Sequence, residues 1–145
     1  MFAFLAGHST GMPVIDARDD FLRARRAHLR ARATRWLTAR RRPGHPRELP
    51  ESAARSRVAM RLERIALSCI VGTVDPSPHF DERFRPGSEH LRRRWERVAL
   101  ARRRGLALPP IRVLREPDGY YVVDGRHRVS VARAAGDCDI EAWVS

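Results

Sequence analysis

The double proline Pro109-Pro110 divides the chain into two kinds of sequence. Before it, apolar residues recur at helical spacing; after it, they alternate as strands do. Proline lacks the amide proton of a ladder and disfavours a helical residue before it, so no regular element runs through the pair. Ile111 and Val113, then Tyr121 and Val123, mark two short β-prone runs. Glu116-Pro117-Asp118-Gly119 between them reads as a turn, which predicts a β-hairpin. Asp124-Gly125 breaks the second run. Residues 126–135 then read as a short helix rich in small residues, stopped by Gly136, and 139–144 as a further strand. Helix, hairpin, tight turn, helix and strand make an α+β unit.

Upstream, Asp19 or Asp20 is the expected cap of a helix reaching about residue 42. Leu22, Leu29 and Trp36 recur every seven residues along it, between Arg23, Arg25, Arg26, Arg30, Arg32 and Arg35, and the run ends in Arg40, Arg41 and Arg42. Pro43, Gly44, Pro46 and Pro50 then form a breaker segment. A second helix is expected over 51–68, because Val58, Leu62, Ile65 and Cys69 fall on one helical face. Residues 71–87 read as loop. Ser88 is the expected N-cap of a third helix ending before Gly105, with Leu91, Trp95, Val98 and Ala99 inward. The expected organisation is an Arg-rich helical arm with a proline-rich linker over 1–50, then an α+β domain with its leading helices over 51–145.

At 145 residues, with 43% hydrophobic and 32% charged, the chain is long enough for one domain with its own core. All 29 basic residues are Arg and the net charge is +12. Lys, Asn and Gln are absent, a bias that looks like GC-rich coding rather than selection for a ligand. The first 72 residues hold 15 Arg against 6 acids, so most of the excess lies there. No apolar run approaches the roughly 18–20 residues of a membrane span. Residues 1–11 have a short apolar patch but no basic flank, so a cytoplasmic location without a signal peptide is expected. Cys69 and Cys138 lack metal or redox spacing and read as reduced, buried thiols. His45, His79 and His90 show no metal-ligand spacing, so no metal site is expected. Trp36 and Trp95 are expected in the core, and one of Tyr120 and Tyr121 buried.

The segment that carries chemistry is Asp124-Gly125-Arg126-His127-Arg128. Glycine permits a sharp turn and close ligand approach. The helix that follows presents unsatisfied N–H groups and the positive end of its dipole, a ready anion site. Arg126 and Arg128 bring forks that match phosphate oxygens. His127 brings a donor or an acid–base group. The alternative is a plain Asp-Gly turn with solvated charges, in a chain that is one-fifth Arg.

From Leu108-Pro109-Pro110-Ile111 through Val123-Asp124-Gly125-Arg126-His127-Arg128-Val129 to Ala134-Ala135-Gly136, the chain resembles the ParB-like (ParB/sulfiredoxin) superfamily. That family shows a PPI segment, two strands joined by a turn, D-G-x-H-R, a small-residue helix, a glycine and a strand. Within 70–106, Ile70-Val71-Gly72-Thr73-Val74, Phe80-Asp81, Arg83-Phe84-Arg85-Pro86 and Arg94-Trp95-Glu96 are similar to a short actinobacterial-type branch. The resemblance implies N-terminal helices followed by a small ParB/sulfiredoxin-like unit, with phosphates held at Gly125, Arg126, His127 and Arg128. It also implies a cofactor such as CTP or ATP with Mg2+. Sulfiredoxins place their catalytic Cys where this chain has Arg126, so peroxiredoxin repair lacks its nucleophile. Partition proteins carry DNA-binding and dimerisation domains beyond the motif, and a second nucleotide motif with an Asn; the chain stops at Ser145 and has no Asn. A serine-phosphorylating branch shares Asp-Gly-x-x-Arg, which would set Asp124 near phosphates or metal.

The expected function is therefore nucleotide-phosphate binding, with DNA contacted through Arg23, Arg26, Arg30, Arg41 and Arg42. The alternative is a small nucleotide-dependent kinase or nuclease using Asp124, His127 and Arg128, with Asp124 and His127 as catalytic candidates. A third reading is a regulatory homodimer driven by the N-terminal helices. No membrane partner is expected.

Overall fold

The computed structural model describes residues 9–38, 44–55 and 59–145. The predicted hairpin, β4 (Ile111–Glu116) and β5 (Gly119–Asp124), is the centre of the sheet. The earlier elements are α1 (Pro13–Leu37), β1 (Arg47–Leu49), α2 (Glu51–Arg55), β2 (Arg61–Ala66), β3 (Ile70–Val74) and α3 (Arg92–Arg103). The later ones are α4 (Arg126–Ala134) and β6 (Asp139–Val144). The six strands lie in the order β1-β3-β5-β4-β6-β2. β3 runs parallel to β5 and β6 parallel to β4, while the edges are β1, parallel to β3, and β2, antiparallel to β6. The architecture is mixed α and β, and three of the six strands, β1, β2 and β3, precede Pro109-Pro110.

One face of the sheet buries Ile111, Val113, Val122, Ala142 and Val144 against Val129 and Ala132 of α4. The other buries Leu114 and Tyr121 with Val74, packed by Leu49 of β1 and Ala53 of α2. Above α4 a helical layer packs Phe21 and Ala24 of α1 with Trp95 and Ala99 of α3, around Val131. The Phe21 and Trp95 rings meet edge to face at 5.6 Å, a favoured aromatic geometry. Small residues on α4 let α3 approach, and the buried Trp95 indole N–H donates to Ser130 Oγ at 2.8 Å. Ser88 caps a 3-10 turn, Glu89–Leu91, that leads into α3, as its sequence position predicts. No described helix is long and apolar enough to cross a membrane.

Several expectations upstream are corrected, among them the reading of 71–87 as loop, which holds most of β3. α1 starts at Pro13, a favoured first-turn position, and Asp20 lies inside it rather than capping it. Asp16 ties down the entry instead, accepting from the Thr10 amide at 2.9 Å and the Thr10 hydroxyl at 2.8 Å. The inward face of α1 is Ala17, Phe21, Ala24 and His28. Leu29 and Trp36 are exposed, Trp36 at 76%, so the seven-residue spacing marks an outer face and Trp36 is not core. The expected helix over 51–68 is replaced by the short α2 and by strand β2; Val58 lies outside the described residues. Pairing with β6 overrides the local helical spacing. β2 is an edge strand studded with charge, and Arg64 reaches Asp139 across it at 2.6 Å. Cys69 and Cys138 are free and exposed, because both fall in surface connections, Cys69 at the end of the 3-10 turn between β2 and β3 and Cys138 just before β6. The expected boundary at residue 50 lies between β1 and α2, with β1 in the sheet and α1 packed on α3.

Candidate functional site

The site is built where β5 hands over to α4. Gly125 holds φ at +108°, a left-handed conformation that side chains resist. A Cβ there would also lie 2.5 Å from Ile111 Cγ2, so the turn is pressed against the start of β4. The first helical bond of α4 runs from the Val129 amide to the Gly125 carbonyl at 3.0 Å. The amides of Arg126, His127 and Arg128 come before it and have no carbonyl partner within the helix. Those amides and the positive helix end open on a cleft of about 210 Å³. Arg94, Val98, Val123 and residues 124–128 line it.

The side chains at the turn divide into clamps and free groups. Arg128 donates to the carbonyls of Pro109 and Pro110 at 2.6 and 2.9 Å and to Asp124 Oδ2 at 3.0 Å. It ties the turn to the proline pair that opens β4. Arg126 donates an Nη to the Val74 carbonyl, and its buried Nε has no partner among the described residues. The His127 ring stands edge-on to Phe80, centroids 5.3 Å apart, and its buried Nε2 also lacks a partner among the described residues. Burial, then the charges of Arg94 and Arg126, pull the His127 pKa down from 6.5 to about 4. The imidazole is therefore neutral at neutral pH, able to donate one hydrogen bond and accept another.

Arg94 is the residue that sequence reasoning missed. It lies in the triple Arg92-Arg93-Arg94, where composition hides it. The signal is its spacing: Arg94 is four residues before Val98, so both share a helix face, and Val98 lines the same cleft. Asp124 is the carboxylate of the lining and is bound by Arg128. Among the described residues no group of three or more His, Cys, Asp or Glu side chains is placed to hold a metal ion. Bound Mg2+ would take its ligands mainly from a nucleotide's own phosphates, with Asp124 as the protein's one carboxylate there. The site thus fits phosphate oxygens better than it fits a metal alone.

The predicted nucleic-acid residues do not gather at this cleft. Arg23 is bound to Asp20 at 2.6 Å, whereas Arg26 and Arg30 are exposed on α1. Arg41 and Arg42 lie outside the described residues.

Compared with solved structures, the chain is similar to sulfiredoxin from Arabidopsis thaliana, at 21% identity and a TM-score of 0.38. That similarity covers 59% of this chain and 84% of the other. No protein-family profile matches the chain, and no curated protein matches it.

Proposed function

We propose that the chain binds a nucleotide through its phosphates at the turn formed by Gly125, Arg126, His127 and Arg128. The observation that carries this reading is convergence on one cleft. The first residues of α4, whose amides have no partner within the helix, line it with Arg94; they include Arg126 and His127, whose buried Nε2 is unpartnered among the described residues, and its one carboxylate is already matched by Arg128. Whole small-molecule sites run from roughly 300 to 1,000 Å³. At about 210 Å³ the cleft takes phosphate groups and leaves the base outside. Phosphate contacts carry no information about that base. The ParB-like sequence resemblance points to the same four residues.

The test is a panel of CTP, ATP, GTP and their diphosphates, with and without Mg2+, read by calorimetry and thermal shift. Saturable heat with at least one nucleotide, weakened in Arg94→Ala and Arg126→Ala, is the expected result. No heat and no shift across the panel would remove the proposal.

One observation favours a second reading, a small nucleotide-dependent kinase or nuclease. A neutral imidazole with an unpartnered Nε2 beside a phosphate site, next to Asp124, is an acid–base arrangement. Turnover of labelled nucleotide that disappears in His127→Ala would establish it; intact nucleotide after long incubation would exclude it. DNA contact through exposed Arg26 and Arg30 is a further part of the proposal. Its signature is binding whose log–log salt slope is about −0.9 per phosphate neutralised, and a flat response would dismiss it.

A further inference from the structure

Another polar cavity, of about 260 Å³, lies between α1 and the segment before α3, with Phe80 in its lining. Its floor is His28, whose Nδ1 lies 3.1 Å from Asp81 Oδ2, with both side chains buried. Asp81 is fixed in place by the amides of Arg83 and Arg85, each at 2.9 Å from its other oxygen. Its carboxylate can only accept, so His28 Nδ1 carries the proton and Nε2 is left as the working nitrogen. At the rim, His45 Nδ1 lies 3.2 Å from the Phe80 carbonyl oxygen. A carbonyl also only accepts, so His45 is locked in the same tautomer with its Nε2 free. Arg32, one helical turn beyond His28 on α1, completes the rim and has no carboxylate partner among the described residues.

Tying α1 to the loop explains the bond between His28 and Asp81. It does not explain why two tautomer-locked imidazoles and an arginine border one cavity. Nor does it explain Gly87, where an added Cβ would sit 3.2 Å from both His28 Nε2 and Cε1. Glycine there keeps the space at Nε2 open. The neighbouring acid, Glu82, is bound to Arg35. An incoming anion favours the imidazolium form, in which each Nε2 donates as well; two such rings and a guanidinium then border the one cavity, and Asp81 accepts from the deepest of them.

We infer that His28, His45 and Arg32 form a second oxyanion site that takes a phosphate group, either free phosphate or a phosphate monoester. The site is independent of the turn on α4: it uses other residues, other elements and another cavity.

The test is imidazole-detected 1H–15N NMR of the full chain, titrated with inorganic phosphate and separately with glycerol phosphate. The expected result is that the His28 and His45 Nε2 signals move along one saturating curve. Arg32→Ala, at the exposed rim, should raise the apparent Kd at least about tenfold, the loss of one charge-assisted hydrogen bond, with the circular dichroism spectrum unchanged. The tighter of the two ligands identifies the source of the phosphate. No saturable movement of His28 and His45, or an unaltered curve in both Arg32→Ala and His45→Ala, overturns the inference. The His127 signal reports the α4 turn in the same spectra, so either site can fail while the other stands.

Discussion

Arg103 of α3 clasps the carboxylate of Asp20 on α1 with two nitrogens, Nε at 2.5 Å and an Nη at 2.7 Å. The Asp20 side chain is 1% exposed, so its charge is stable in the fold only while it is held. The bond holds Arg103 in its charged form, raising its pKa above the ordinary guanidinium value. Arg103→Ala leaves Arg23 as the remaining partner of a buried charge. A loss of about 3 kcal/mol is expected, at the low end for a broken buried pair because Arg23 stays. Urea unfolding measures it, and a loss below about 1 kcal/mol would show that α1 is held by its apolar face alone.

Gly125→Ala meets two penalties at once. The left-handed conformation costs a side-chain residue about 1–2 kcal/mol, and the contact with Ile111 adds overpacking of about 1–3 kcal/mol. A total destabilisation of about 2–5 kcal/mol is expected in thermal unfolding, together with loss of nucleotide binding. Gly105→Ala is the control: its φ is also positive, at +68°, but its added Cβ meets nothing within 4 Å. It should pay the first penalty and not the second.

His127 makes stability depend on pH in a definite direction. The unfolded chain takes up a proton near 6.5 and the folded chain only near 4. Stability is therefore whole above about 6.5, falls as pH drops towards 4, and changes no further below that through this group. Because the ring is partly open to solvent, the swing is on the order of 1–2 kcal/mol. His127→Gln should flatten that limb of the stability curve. A bound phosphate opposes the effect, since a nearby anion favours the imidazolium. Saturating nucleotide should thus raise the His127 titration midpoint in NMR; a midpoint that stays put would place the phosphate elsewhere.

Arg94 and Arg128 should separate binding from architecture. Arg94 is exposed on α3 and its removal disturbs no described hydrogen bond, so Arg94→Ala should weaken nucleotide binding about tenfold at unchanged Tm. Arg128→Ala unties Asp124 and the carbonyls of Pro109 and Pro110, so binding and Tm should fall together. Equal behaviour of the two variants would contradict the division into clamps and free groups.

The hairpin, the turn and α4 were legible because their signals are local. Pro109-Pro110, the 116–119 turn and Gly125 each fix backbone geometry within a few residues, and the structure places β4, β5 and α4 where they direct. The inward face of α3 was legible for the same reason, through Ser88 and Trp95. β2 was not, because its helical spacing at Leu62 and Ile65 is overruled by β6, more than seventy residues away. The inner face of α1 was hidden by alanines: Ala17 and Ala24 are small enough to meet α3, while the larger Leu29 and Trp36 are left outside. At the site, the turn residues were readable from the motif. Arg94 and the roles of Arg128 depended on where α3 and the proline pair pack, which no local pattern encodes.

The strand order also sets a timetable for synthesis. Both edges of the sheet, β1 and β2, are made before any of the four strands between them. β1 gains its neighbour early, when β3 follows, but β2 pairs with β6, and Arg61 faces Val144 in that register. A nascent chain therefore carries β2 as an unpaired edge until the sheet's final strand has emerged. Its outward charges, Arg61, Glu63 and Arg64, guard that interval by making premature pairing with other chains unfavourable.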